Sequence, residues 1–67
     1  MSRISFHEES DLSHEFSYNV HEDLTPGIYD VDNVPDDVDS ELESFFQSDR
    51  IPPFLYEPKG RITVKVT

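Results

Sequence analysis

The chain has no cysteine and no tryptophan, only two glycines, and no lysine or arginine anywhere from Ile4 to Asp49. Without cysteine, neither a disulfide framework nor a thiolate zinc site can brace so small a domain. That absence fits a cytoplasmic protein. No apolar run approaches the roughly 20 residues needed to span a bilayer, and the N-terminus has no apolar signal-peptide segment. None of the eight serines sits in a G-x-S-x-G elbow, and with no thiol the usual nucleophiles for covalent catalysis are missing. A single domain of 67 residues also leaves little room for a deep pocket, so an enzyme is not expected.

What is there is acid. Of 15 Asp and Glu, 14 fall between Glu8 and Asp49, while Arg50, Lys59, Arg61 and Lys65 cluster near the C-terminus and Arg3 stands alone at the start. The net charge of −10 leans towards disorder. Against this, Leu, Ile, Val and Phe supply 19 residues, about 28%, above the roughly 20% below which disorder is the expectation. Those residues are also periodic. The chain is expected to fold, under self-repulsion at neutral pH.

Residues 2–8 alternate, Ile4 and Phe6 on one side against Arg3, Ser5 and His7, which is the pattern of a half-buried strand. Glu9 to Ser13 reads as a turn. Residues 14–21 alternate again through Phe16, Tyr18 and Val20, and the two runs suit an antiparallel hairpin. Pro26-Gly27 marks a turn before a short strand, GIYDV. Val38, Leu42, Phe45 and Phe46 then recur at helical spacing, with Asp36 or Asp37 as the expected N-cap. Pro52-Pro53 ends the helix. The stretch FLYE, a Pro58-Lys59-Gly60 turn and the clear alternation of RITVKVT complete a β-β-β-α-β-β order. The expected class is α+β: a small antiparallel sheet with one amphipathic helix on one face, and RITVKVT at a sheet edge. Its expected core is Ile4, Phe6, Phe16, Tyr18, Val20, Ile28, Leu42, Phe45, Phe46, Ile62, Val64 and Val66.

Two patterns resemble metal sites and fail at the residues that matter. His-Glu recurs three times at a spacing of seven, at His7, His14 and His21. A zincin needs His at i and i+4, but here Asp11 follows His7 and Tyr18 follows His14 at that spacing. An odd step along a strand also sends successive histidines to opposite faces. In DVDNVPDDVDSE, Asp30, Asp32 and Glu41 fit calcium-loop positions 1, 3 and 12. Val34 and Pro35 stand where an oxygen ligand and a glycine are required. No metal and no cofactor is expected.

The acids are therefore the candidate site. Ordinary surfaces mix both signs, and a one-signed field steers an oppositely charged partner. Glu8, Glu9, Asp11, Glu15, Glu22, Asp23, Asp30, Asp32, Asp36, Asp37, Asp39, Glu41 and Glu43 are expected to face a strongly basic protein. Such surfaces are most often built to hold nucleic-acid phosphates.

In size, acidity, lack of cysteine and lack of a catalytic motif, the chain resembles the small phage-encoded anti-CRISPR proteins that mimic DNA. Among these it is most similar to those directed at type I, Cascade-type surveillance complexes. The resemblance implies a stoichiometric inhibitor, acting in the cytoplasm of a bacterial host. It would occupy the Lys/Arg surface of a Cas subunit that reads the PAM or holds target duplex, without binding nucleic acid itself. Two other readings share parts of this logic. An antitoxin or immunity protein would cap a cationic nuclease; an adaptor would pair through the RITVKVT edge, where self-pairing would also give a homodimer in place of a monomer.

Overall fold

A computed structural model of the protein describes residues 1–9, 14–57 and 60–67. The expected turns at Glu9–Ser13 and Pro58-Lys59-Gly60 lie largely outside the described residues, as does Asp11. The elements are β1 (Ser2–Glu8), β2 (Glu15–Val20), β3 (Gly27–Asp30), α1 (Asp36–Phe46), a 3-10 turn (Pro53–Leu55) and β4 (Ile62–Val66). The four strands form one antiparallel sheet in the order β2-β1-β4-β3. One helix on one face makes the protein α+β, as the periodicities predict.

The sheet's two faces follow from strand parity. The register sets Ile4 opposite both Tyr18 and Val66, and Phe6 opposite both Phe16 and Val64. These side chains face the helix, and Val38, Leu42 and Phe45 descend onto them. The Phe45 ring meets Phe6 edge-on at 6.0 Å and Tyr18 at 4.7 Å. Two tethers hold the 21–26 connection. The Leu24 N–H donates to Ser2 Oγ at 2.8 Å, and Thr25 N–H donates to Asp37 at 3.0 Å.

Four expectations need correction. β4 lies between β1 and β3, so RITVKVT has no free edge to offer a partner. The stretch FLYE is no strand. Pro52 and Pro53 lack N–H donors and fix φ near helical values, and Leu55 N–H closes a tight turn onto the Pro52 carbonyl at 3.0 Å. The turn buries Phe54 over His14 and Phe16. Pro35, not Asp36 or Asp37, precedes the helix as N-cap, with no side-chain cap bond; Asp37 instead reaches back to Thr25.

The fourth concerns the core, which gains Leu24, Val38 and Phe54 and omits four expected members, although one of them, Tyr18, packs half-buried against it. Ile28 is 70% exposed, because Tyr29 and not Ile28 shares the helix-side parity. Phe16 faces inward but lies on an edge strand with Phe54 as a lid, and remains 36% exposed. Phe46 sits one helical step, about 100°, past Phe45 and is turned to solvent.

Candidate interaction surface

About three helical turns hold α1's sequence DDVDSELESFF, of which five side chains are carboxylates. With Val38, Leu42 and Phe45 committed to the core, Asp36, Asp39 and Glu43 stand exposed on the opposite side. Their Cα atoms step about 4.5 and 6 Å along the axis. Phosphates on one DNA strand advance about 3.4 Å per nucleotide, so the ridge carries negative charge at a comparable pitch. Glu41 flanks the ridge half-buried, and exposed Asp32 precedes the helix. The last turn holds no basic residue. Among the described residues, no helix acid is engaged in an ion pair.

Other acids are occupied. Asp37 Oδ2 accepts from the Thr25 N–H and from Thr25 Oγ1 at 3.0 and 3.3 Å. The Thr25 N–H, helped by that of Val38, holds the Asp37 carboxyl below the ordinary aspartate value against a smaller push from burial. Asp30 is gripped by Arg61, whose Nε donates to Oδ1 at 2.6 Å while the second nitrogen bonds Oδ2. That hydrogen-bonded guanidinium lowers the Asp30 pKa, and Asp30 in turn raises that of Arg61. Asp23 binds the chain's own N-terminal ammonium at 2.6 Å, which lowers its pKa chiefly through that hydrogen bond.

Glu8 departs furthest from expectation. It is 4% exposed and lies inside, its Oε2 3.1 Å from His14 Nδ1, so it is no part of an outer surface. Parity was the available signal: residue 8 follows Ile4 and Phe6 to the helix side of β1. Glu9 and Glu15 are exposed on the sheet, far along the chain from the helix, with Glu15 Oε2 3.9 Å from His7 Nδ1. Glu22 borders an open groove of about 490 Å³ between β2 and α1, shared with His21, Glu41, Ser44 and Arg50.

Of the thirteen candidate acids, the helix therefore aligns Asp36, Asp39 and Glu43, with Glu41 and Asp32 beside them. The others are scattered, paired or buried, and Asp11 lies outside the described residues. The three histidines part company: His7 is on the open sheet face, His14 is beside Glu8, and His21 is at the groove. Among the described residues no three His, Asp or Glu side chains are grouped to hold a metal.

The cations have a pattern that the linear sequence hides. Arg3 and Lys65 occupy strand positions of the parity opposite to the core, as does Arg61 just before β4. All three therefore sit on the sheet face away from α1. The two sides therefore differ: the exposed helix ridge carries acids alone, whereas the open sheet mixes Arg3, Arg61 and Lys65 with Glu15, Asp30 and small polar residues such as Ser5 and Ser17. No protein-family model, curated protein or solved structure matches this chain.

Proposed function

We propose that the protein is a stoichiometric inhibitor that docks its α1 acids on the basic nucleic-acid-binding surface of another protein, in place of duplex. The observation that carries this reading is the line of Asp36, Asp39 and Glu43: exposed, unpaired with any cation among the described residues, and backed by a rigid core contact through Val38, Leu42 and Phe45. A fixed row of carboxylates presents charge to a partner without first having to order a loop. Complementary fields of this strength speed encounter and reject acidic partners.

The resemblance to DNA-mimicking anti-CRISPR proteins makes a type I surveillance complex the first target, at the Cas surface that reads the PAM or holds duplex. The test is a mobility-shift assay of target duplex binding by that purified complex, with and without this protein, across a salt series. Loss of the shifted band at near-stoichiometric protein, weakening as salt rises, supports the reading. An unchanged shift sends the assignment to the second reading, a cap on a cationic nuclease, which rests on the same acids. That reading is tested by inhibition of nuclease activity.

A further inference from the structure

The sheet has two outer edges, and they differ. β3 is four residues long, follows Pro26, and spends its Asp30 carbonyl on the Asn33 N–H at 2.9 Å. Short edges next to proline resist pairing. β2 is six residues long, contains no proline, and has no backbone bonds on its outer side among the described residues.

The direction of its backbone groups follows from the neighbouring ladder. Arg3 exchanges N–H and C=O bonds with Thr67 on the β4 side, and Glu8 N–H donates to His14 on the β2 side. Alternation along an antiparallel pair then turns Phe16, Tyr18 and Val20 towards β1. Glu15, Ser17 and Asn19 point their N–H and C=O groups outward.

The sequence along this edge, HEFSYNVHE from His14 to Glu22, is complementary to its own reverse. Laid antiparallel on a second copy and centred on Tyr18, it sets Ser17 against Asn19, Phe16 against Val20, Glu15 against His21 and His14 against Glu22. Apolar meets apolar, polar meets polar, and each carboxylate meets an imidazole, as a hydrogen bond or, when the ring is protonated, an ion pair. The seven-residue spacing of His-Glu is what produces the match. Pairs of this kind stabilise a sheet, and like charges directly opposite would not.

We propose that β2 is a self-pairing edge, through which two copies join across a two-fold axis at Tyr18 into one eight-stranded antiparallel sheet. Phe16, left part-exposed by a single chain, is then covered by the partner's Val20. Glu15 lies between His7 of its own β1, at 3.9 Å, and the other copy's His21. Both helices fall on the same side of the joined sheet. The helix acids take no part in the pairing, so this inference stands independently of the docking reading.

Sedimentation equilibrium on the intact chain, up to about 1 mM (a bound of about −4 kcal/mol), should show a monomer–dimer equilibrium. Glu15→Lys should weaken it about tenfold, by setting Lys against His twice; adding His21→Glu should restore it, with circular dichroism showing that both variants are folded. Register is read with single-cysteine chains, since the natural chain has none. Ser17 and Asn19 would form a hydrogen-bonded pair with Cα atoms about 5.5 Å apart, within disulfide reach. Ser17→Cys mixed with Asn19→Cys should cross-link faster than either alone. A monomer at every concentration overturns the proposal, as does failure of the double variant to regain association. Equal cross-linking of each cysteine variant with itself overturns the register.

Discussion

Thr25 and Asp37 are joined twice, the Thr25 N–H and hydroxyl both pointing at one carboxylate oxygen. The bond is made across twelve residues, and it ties the segment before β3 to the first turn of α1. An aspartate that looks from its position like a helix cap is spent instead on tertiary structure.

Asp37→Ala should therefore lower the thermal midpoint, while Asp36→Ala, whose side chain has no such partner among the described residues, should change it less. Acid should have a related effect. Asp23, Asp30 and Asp37 all have pKa values lowered by folding. Their stabilisation is complete above about pH 4, the ordinary aspartate value, and is lost as pH falls through the lowered folded values. Urea midpoints measured from pH 5 to 2 should fall, and Asp37→Asn should make that fall shallower.

On the helix, the triple reversal of Asp36, Asp39 and Glu43 to Lys should abolish binding to a basic partner while the circular-dichroism spectrum stays folded. Asp37 is better left intact, since its loss would confuse binding with stability. Reversal of Glu9 and Glu15 on the sheet should leave that binding within about twofold, which a titration read by fluorescence anisotropy would check.

Glu8→Ala should cost about 0.5–1.5 kcal/mol, the net worth of a hydrogen bond whose other partner, half-exposed His14, is left to water. Glu8→Gln, which keeps an acceptor near His14, should cost less. Chemical denaturation of the two variants separates a structural carboxylate from an interfacial one, because neither should alter partner binding.

Phe6→Ala should cost about 3–5 kcal/mol, enough to unfold a domain this small. Ile28→Thr should stay within about 0.5 kcal/mol, the scale of exposed sites, although both residues lie in strands of the same sheet. Phe46→Lys should raise stability by about 0.3–1 kcal/mol, by placing a cation at a helix C-terminus that has none. Thermal melts resolve all three.

Periodicity made β1, β2, α1 and β4 readable, since each must bury one side and alternates accordingly. It could not place β4 within the sheet. In a sheet covered on one face, an inner strand and an outer strand show the same alternation, and only pairing tells them apart. Ile28 and Tyr29 are adjacent apolar residues in a four-residue strand, so one must face out, and nothing local chooses which. The FLYE segment looked extended because its apolar residues are consecutive; the two preceding prolines, which close a turn, carried the better information. For the acids, residue type was legible and engagement was not. Asp23, Asp30 and Asp37 take partners 22, 31 and 12 residues away, which no local pattern records.

The open sheet face mixes Arg3, Arg61 and Lys65 with Glu15 and Asp30, whereas α1 exposes acids alone, on a body whose extents are 29 × 24 × 19 Å. At physiological salt the screening length is about 8 Å, well short of the thinnest extent. A molecule resting against the helix barely senses the cations behind the sheet, and the reverse holds too. At a distance in dilute salt, by contrast, the same separation exerts a torque that turns the protein helix-first towards a positive target. One small body thus acts as two electrically insulated surfaces at contact and as an oriented projectile on approach, with ionic strength selecting between the regimes.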